Sequence, residues 1–156
     1  ADYHAFIRDA FKAGGGQNIK FYKMDDFCKL AYVATERLLD GIVFGEEECG
    51  MVLSGRYGCL DTDMKHQQVI DSEGDAGASP AVFVYTLPNV AAGEVSIRHI
   101  KGENTWFWSD DRQMRDIRQY AGMMMAAQYL KYCIIGYFDC IAGKYEAVFK
   151  LLERQN

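Results

Sequence analysis

The chain has 156 residues, 49% hydrophobic and 25% charged, which suits a single globular domain over residues 1–156 with a sizeable core. Its net charge of −5 argues against the basic face that a nucleic-acid binder carries, and no apolar run approaches the ~20 residues of a membrane span. Cys28, Cys49, Cys59, Cys133 and Cys140 form no CxxC pair, so no metal or cofactor is expected, and a reducing cytoplasm suits the free thiols. The start at Ala1-Asp2-Tyr3, with neither Met nor signal peptide, leads us to expect further residues before Ala1.

"AGGGQN" (Ala13–Asn18) reads as a loop, because three glycines oppose any regular element. From Asp25 to Leu39, Phe27, Leu30, Ala31, Ala34 and Leu38 recur at helical spacing, and Gly41 follows as a stop. "GEEECG" (Gly45–Gly50) reads as a solvated loop, since adjacent acids diverge on any regular element. "GMVLSG" (Gly50–Gly55) predicts an apolar strand, "CLDTDMKHQQVI" (Cys59–Ile70) a helix, and "DSEGDAGAS" (Asp71–Ser79) a polar loop. Cys59 alone of the thiols is expected near the rim of the sheet.

Pro88 suits the first turn of a helix running to about His99. "TWFWS" (Thr105–Ser109) predicts a strand with Trp106 and Trp108 on one face and Phe107 on the other. The next helix sets Met114, Ile117, Ala121, Met124 and Met125 on one side, and its second half, "YAGMMMAAQYL", is apolar nearly all round and expected to be buried on every side. Tyr132–Ile141 and Tyr145–Glu153, joined by "AGK", predict an antiparallel pair, the first strand inside the sheet and the second at its edge. Alternating strands and helices with a terminal antiparallel strand make an α/β fold with a mixed, mostly parallel sheet and helices on both faces.

"GENTWFWSDDRQMRD" (Gly102–Asp116) delivers a strand onto a helix. Free backbone N–H groups and the helix dipole favour negative charge at such a junction. It carries Ser109, Asp110 and Asp111, and the two carboxylates are suited to capping the helix.

"SPAVFVYTLPNVAAGEVSIRHIKGENT" (Ser79–Thr105) resembles a stretch of the β-ketoacyl synthases of the thiolase superfamily, through Ser79, Pro80, Asn89, Ala92, Gly93, Ile97 and Gly102. "SGRYGCLDT" upstream and "YCIIGYFD" downstream extend the resemblance from about Gly50 to Asp139. It implies a thiolase-like half-domain. Counted from Gly102, the family's nucleophilic cysteine falls at Asp111, which cannot hold an acyl group as a thioester. His4, His66 and His99 do not match the family's histidine pair, which lies in a second half.

The resemblance therefore implies a truncated, catalytically inactive subunit, similar to the chain-length-factor partners of fatty-acid, polyketide or aryl-polyene-type synthesis. Enzymatic activity stays open: a condensing enzyme or acyl transferase completed by a second polypeptide, or a module that binds acyl carrier protein, are the alternatives. The implied partner is a second copy or a full-length β-ketoacyl synthase. The implied dimer contact is Thr105, Trp106, Phe107, Trp108 and Ser109, with Asn89 and Gly93 beside them.

Overall fold

Cys49–Gly55 forms β1, whose seven residues are all buried. A strand buried on both faces must lie inside a sheet covered on both sides, and β1 pairs in parallel with β2 (Asn104–Trp108) on one flank and β3 (Tyr132–Ile141) on the other. β4 (Lys144–Glu153) adds antiparallel to β3, giving the order β2-β1-β3-β4. Both β4 and β2 are therefore edge strands, and β3 is internal. The structure, a computed structural model, describes residues 2–42, 45, 49–74, 90–91 and 103–155.

Four helices accompany this sheet: α1 (Tyr3–Ala13), α2 (Asp26–Leu38), α3 (Leu60–Glu73) and α4 (Arg115–Gln128). α1 carries an apolar stripe of Tyr3, Ile7 and Phe11 that is buried along its length. With Phe27, Leu30 and Ala31 of α2, this stripe covers Met51, Leu53, Ile134 and Phe138 on one sheet face. α4 covers the other face, packing Met114, Ile117, Ala121, Met124 and Met125 against Val52, Cys133, Ile135 and Tyr137. The alternation along β1 and β3 separates these two cores residue by residue.

Two close approaches dictate glycine. A Cβ on Gly55, at the end of β1, would stand 2.3 Å from the Phe138 carbonyl oxygen, and one on Gly136 would stand 2.8 Å from the Phe149 ring. The β3–β4 hairpin turns on Ala142 (φ 51°) and Gly143 (φ 76°), the pair of positive φ values that a two-residue loop uses to match strand twist.

Several expectations need correction. The Asp71–Ser79 stretch is not wholly loop: α3 runs on through Glu73 and ends at Gly74, whose φ of 68° breaks it. Cys49 and Gly50 of the expected acidic loop belong to β1. The second half of α4 is not buried on every side, for Met123 is 65% exposed and Gly122, Ala126 and Ala127 face solvent. Most of the expected helix from Pro88 to His99 lies outside the described residues; Val90 and Ala91 are helical. None of the described helices is long and apolar enough to cross a membrane.

Gly55→Ala should destabilise the fold by about 1–3 kcal/mol, towards the upper end because the obstructing atom is backbone. Urea unfolding followed by circular dichroism will measure it, and an unchanged midpoint would contradict the tight β1–β3 approach.

Candidate functional site

The carboxyl ends of the three parallel strands come together at Gly55, Trp108 and Asp139. Such ends are where α/β folds assemble their chemistry. After Gly55 the chain turns away, and Asp139 secures the turn. Its carboxylate, buried at the end of an otherwise apolar strand, accepts the Arg56 backbone N–H at 3.0 Å, the Tyr57 N–H at 2.9 Å and the Tyr137 hydroxyl at 2.8 Å. Burial and the Asp139 carboxylate push the Tyr137 hydroxyl well above its ordinary range. A single aspartate within "CIIGYFDCI" is the signal that marks this anchor, because a buried polar group must find partners.

On the neighbouring strand, the Ser109 N–H donates to the Gly55 carbonyl at 3.0 Å and extends the β1–β2 ladder by one step. The expected short connection to the helix is longer than the sequence suggests. α4 begins at Arg115, and residues 111–114 form a separate turn closed by the Met114 N–H on the Asp111 carbonyl at 3.0 Å. Met114 occupies the left-handed region at φ 57°, with its side chain fully buried. A non-glycine residue held there is uncommon; the Met114 side chain, sunk among Val52, Ile117 and Tyr137, holds it in place.

Asp111 caps this turn and the helix behind it. One carboxylate oxygen accepts the Gln113 N–H at 3.1 Å; the other accepts the Arg115 N–H at 3.0 Å and pairs with the Arg115 Nε at 3.3 Å. Desolvation opposes the charge, but the Arg115 N–H and guanidinium and the Gln113 N–H outweigh it and hold the carboxyl below its usual range. Ser109 braces the same turn, accepting the Asp111 N–H at 3.1 Å and donating to Asp116 at 2.8 Å. Asp110 is exposed beside it. Arg112 reaches across to β4, its Nε at 2.9 Å from both Glu146 oxygens.

These groups form a capped, charge-neutralised junction with no nucleophile in it. The thiols do not supply one. Cys49, Cys59, Cys133 and Cys140 are buried, and burial pushes each up to about 12, so all four stay protonated at neutral pH. Cys59 is thus a packing residue beneath the turn after β1, where a rim position was expected. His4 pairs with Asp26 at the start of α2, at 3.1 Å, while His99 lies outside the described residues. Among the described residues no group of His, Cys, Asp and Glu could hold a metal ion. A cavity of about 480 Å³ lies elsewhere, between the carboxyl ends of α1 and α2, lined by Phe11, Tyr32, Val33 and Arg37 among others.

The expected contact strand is where the sequence places it. Trp106 packs against Phe27 and Phe138 on one face, Phe107 against Tyr120 on the other, and Trp108 is 63% exposed. Thr105 is half-buried, and β2 pairs with β1 alone, so its outer edge is unpaired among the described strands. The buried Trp106 indole N–H has no acceptor. Asn89 and Gly93 lie outside the described residues.

Raising the charge of a capping carboxylate has a pH signature. Because the folded-state value of Asp111 is lowered, its stabilisation is present above the unfolded-state value of about 3.9 and is lost as pH falls through the folded one. An NMR titration of the Asp111 carboxyl should find its midpoint below that of an ordinary aspartate, and the Arg115→Ala substitution should move it up. A midpoint at or above the ordinary value would contradict the capping geometry.

No protein-family model and no curated protein matches the sequence. Solved structures do match. The ishigamide ketosynthase/chain length factor superposes with a TM-score of 0.68 and 26% identity, over 78% of this chain and 36% of its own. The ketosynthase ApeO in complex with its chain length factor ApeC, from Xenorhabdus doucetiae, gives a TM-score of 0.70 at 16% identity, over 88% of this chain and 60% of that one. AntDE:AntF, a type II PKS acyl-carrier protein in complex with its ketosynthase bound to the hexaketide, gives 0.69 at 17% identity, over 83% and 40%. The chain thus spans less than two thirds of each. Parallel strands β2, β1 and β3, the antiparallel β4 and the helices on both faces make this chain a thiolase-like protein of the ketosynthase/chain-length-factor type.

Proposed function

We propose that this chain is a non-condensing, ketosynthase-like subunit that shapes and completes an assembly with a ketosynthase-like partner, in the manner of a chain length factor. The observation that carries the reading is the state of Asp111. At the strand-to-helix junction, where a condensing enzyme needs a thiolate, both carboxylate oxygens are committed to Gln113 and Arg115. A carboxylate cannot accept an acyl chain as a thioester, and the four thiols with raised values are buried away from the junction. The likeness to a ketosynthase/chain length factor at 26% identity supports the same reading. Fatty-acid, polyketide and aryl-polyene-type synthesis are the settings it suits. An acyl carrier protein is the less favoured partner at this face, since Arg112 and Arg115 are already paired with Glu146 and Asp111.

The purified chain, given malonyl and acyl donors, should form no β-ketoacyl product, and product above the protein-free blank would sink the proposal. Asp111→Cys should not restore turnover, yet it should react with an alkylating reagent faster than the wild-type thiols, because the turn exposes it beside the helix start.

The partner, a second copy or a full-length synthase, pairs in this reading along the outer edge of β2, through Thr105, Trp106, Phe107, Trp108 and Ser109, with Asn89 and Gly93 beside them. An edge strand bearing the exposed Trp108 is a liability unless a specific strand covers it. A two-fold arrangement satisfies both edges with one self-complementary surface. Phe107→Pro removes a backbone donor, and should lower the sedimenting mass of the self-assembled chain or abolish capture of the synthase. Unchanged assembly in both measurements would exclude this edge.

A further inference from the structure

α4 contains a glycine that the fold does not require. Gly122 lies in the middle of the helix, where glycine weakens a helix relative to alanine, yet a Cβ there would meet nothing within 4 Å. Nothing inside the chain explains the missing side chain. Its surroundings point outward. Gly122 and Ala126 lie one turn apart along the middle of the solvent face, flanked by Met123, 65% exposed, and by exposed Ala127. A helix that is apolar nearly all round belongs in an interior, and on this side it has no cover.

We propose that this outer face of α4 is a self-association surface, on which a second copy of the chain seats its own α4 antiparallel across a two-fold axis. Gly122 and Ala126 set the closest approach, since small residues on facing ridges let helix axes draw near. The ends of the helix complement each other in that arrangement. Arg118, exposed near the start of α4, makes no ion pair among the described residues. Beyond the other end stands exposed Glu103, bonded to Gln128. Antiparallel pairing brings Arg118 of one copy towards the last-turn carbonyls and Glu103 of the other, an attractive contact made twice. Parallel pairing would set the arginines of both copies together. Val148, cross-strand neighbour of Tyr137 on the same sheet face and 38% exposed, extends the apolar area towards β4. This surface lies on the sheet face, apart from the β2 edge, and does not rest on the function proposed above.

Sedimentation equilibrium of the full chain tests it, with Gly122→Ala and Met123→Lys as variants. The added methyl of Gly122→Ala has room within the subunit, so its thermal unfolding should match or exceed wild type while self-association weakens about tenfold or more. Met123→Lys should weaken it further. Ala126→Cys, near the two-fold axis, should form a disulfide-linked dimer under mild oxidation. Wild-type self-association that all the variants leave unchanged, a chain that is monomeric at every concentration, or an Ala126→Cys chain that links only to a ketosynthase partner would each overturn the proposal.

Discussion

Everything in this molecule hangs on β1. It is the strand with parallel neighbours on both sides and no exposed residue, so it can be stable only if both sheet faces are roofed. Its alternation then assigns the roofs. Met51 and Leu53 face α1 and α2, and Val52 faces α4. The tight approach of Gly55 to the Phe138 carbonyl draws β1 and β3 together at the carboxyl end. Asp139 uses that proximity to hold the departing chain by the Arg56 and Tyr57 N–H groups. Replacing water around those donors with a buried carboxylate is favourable because charge-assisted hydrogen bonds are the strong ones.

The same geometry decides what the junction beside it can do. With β2 locked to β1 through the Ser109 N–H, the chain reaches α4 through a turn that Asp111 closes and Met114 anchors from below. A reactive group at such a place needs freedom to meet a substrate and a charge state near its switching point. Asp111 has neither: its oxygens are engaged and its carboxyl is held ionised. The negative charge that the helix start attracts is spent on structure.

Much of this was legible in the residues. The two terminal strands, the separation of Trp106 from Phe107, and the buried stripe Met114, Ile117, Ala121, Met124 and Met125 all follow from period 2 or period 3.6. Three things were not. α1 was missed because its stripe of Tyr3, Ile7 and Phe11 is sparse and the exposed Phe6 interrupts it. The three extra residues before α4 were hidden because "DRQM" has no glycine or proline to announce a turn; the left-handed position is filled by Met114, which tertiary burial holds there. The apolar outer face of α4 was read as buried, since periodicity reports that a face wants cover without saying which body supplies it. Asp139 was legible in principle as a lone acid in an apolar strand, but its partners, Arg56 and Tyr57, lie more than eighty residues away. The segment richest in family resemblance, Ser79 to Gly102, lies largely outside the described residues, so the fold was reached through the strands on either side of it.

The central claim is that the strand-to-helix junction holds a structural carboxylate, so this chain serves an assembly without itself carrying an acyl group. Intact-protein mass spectrometry after incubation with acyl-thioester donors, alone and mixed with a competent ketosynthase, tests it most directly. The account predicts an acyl adduct on the ketosynthase and an unchanged mass for this chain in both incubations. A stoichiometric acyl adduct on this chain, mapped to any residue between Ser109 and Met114, would contradict it.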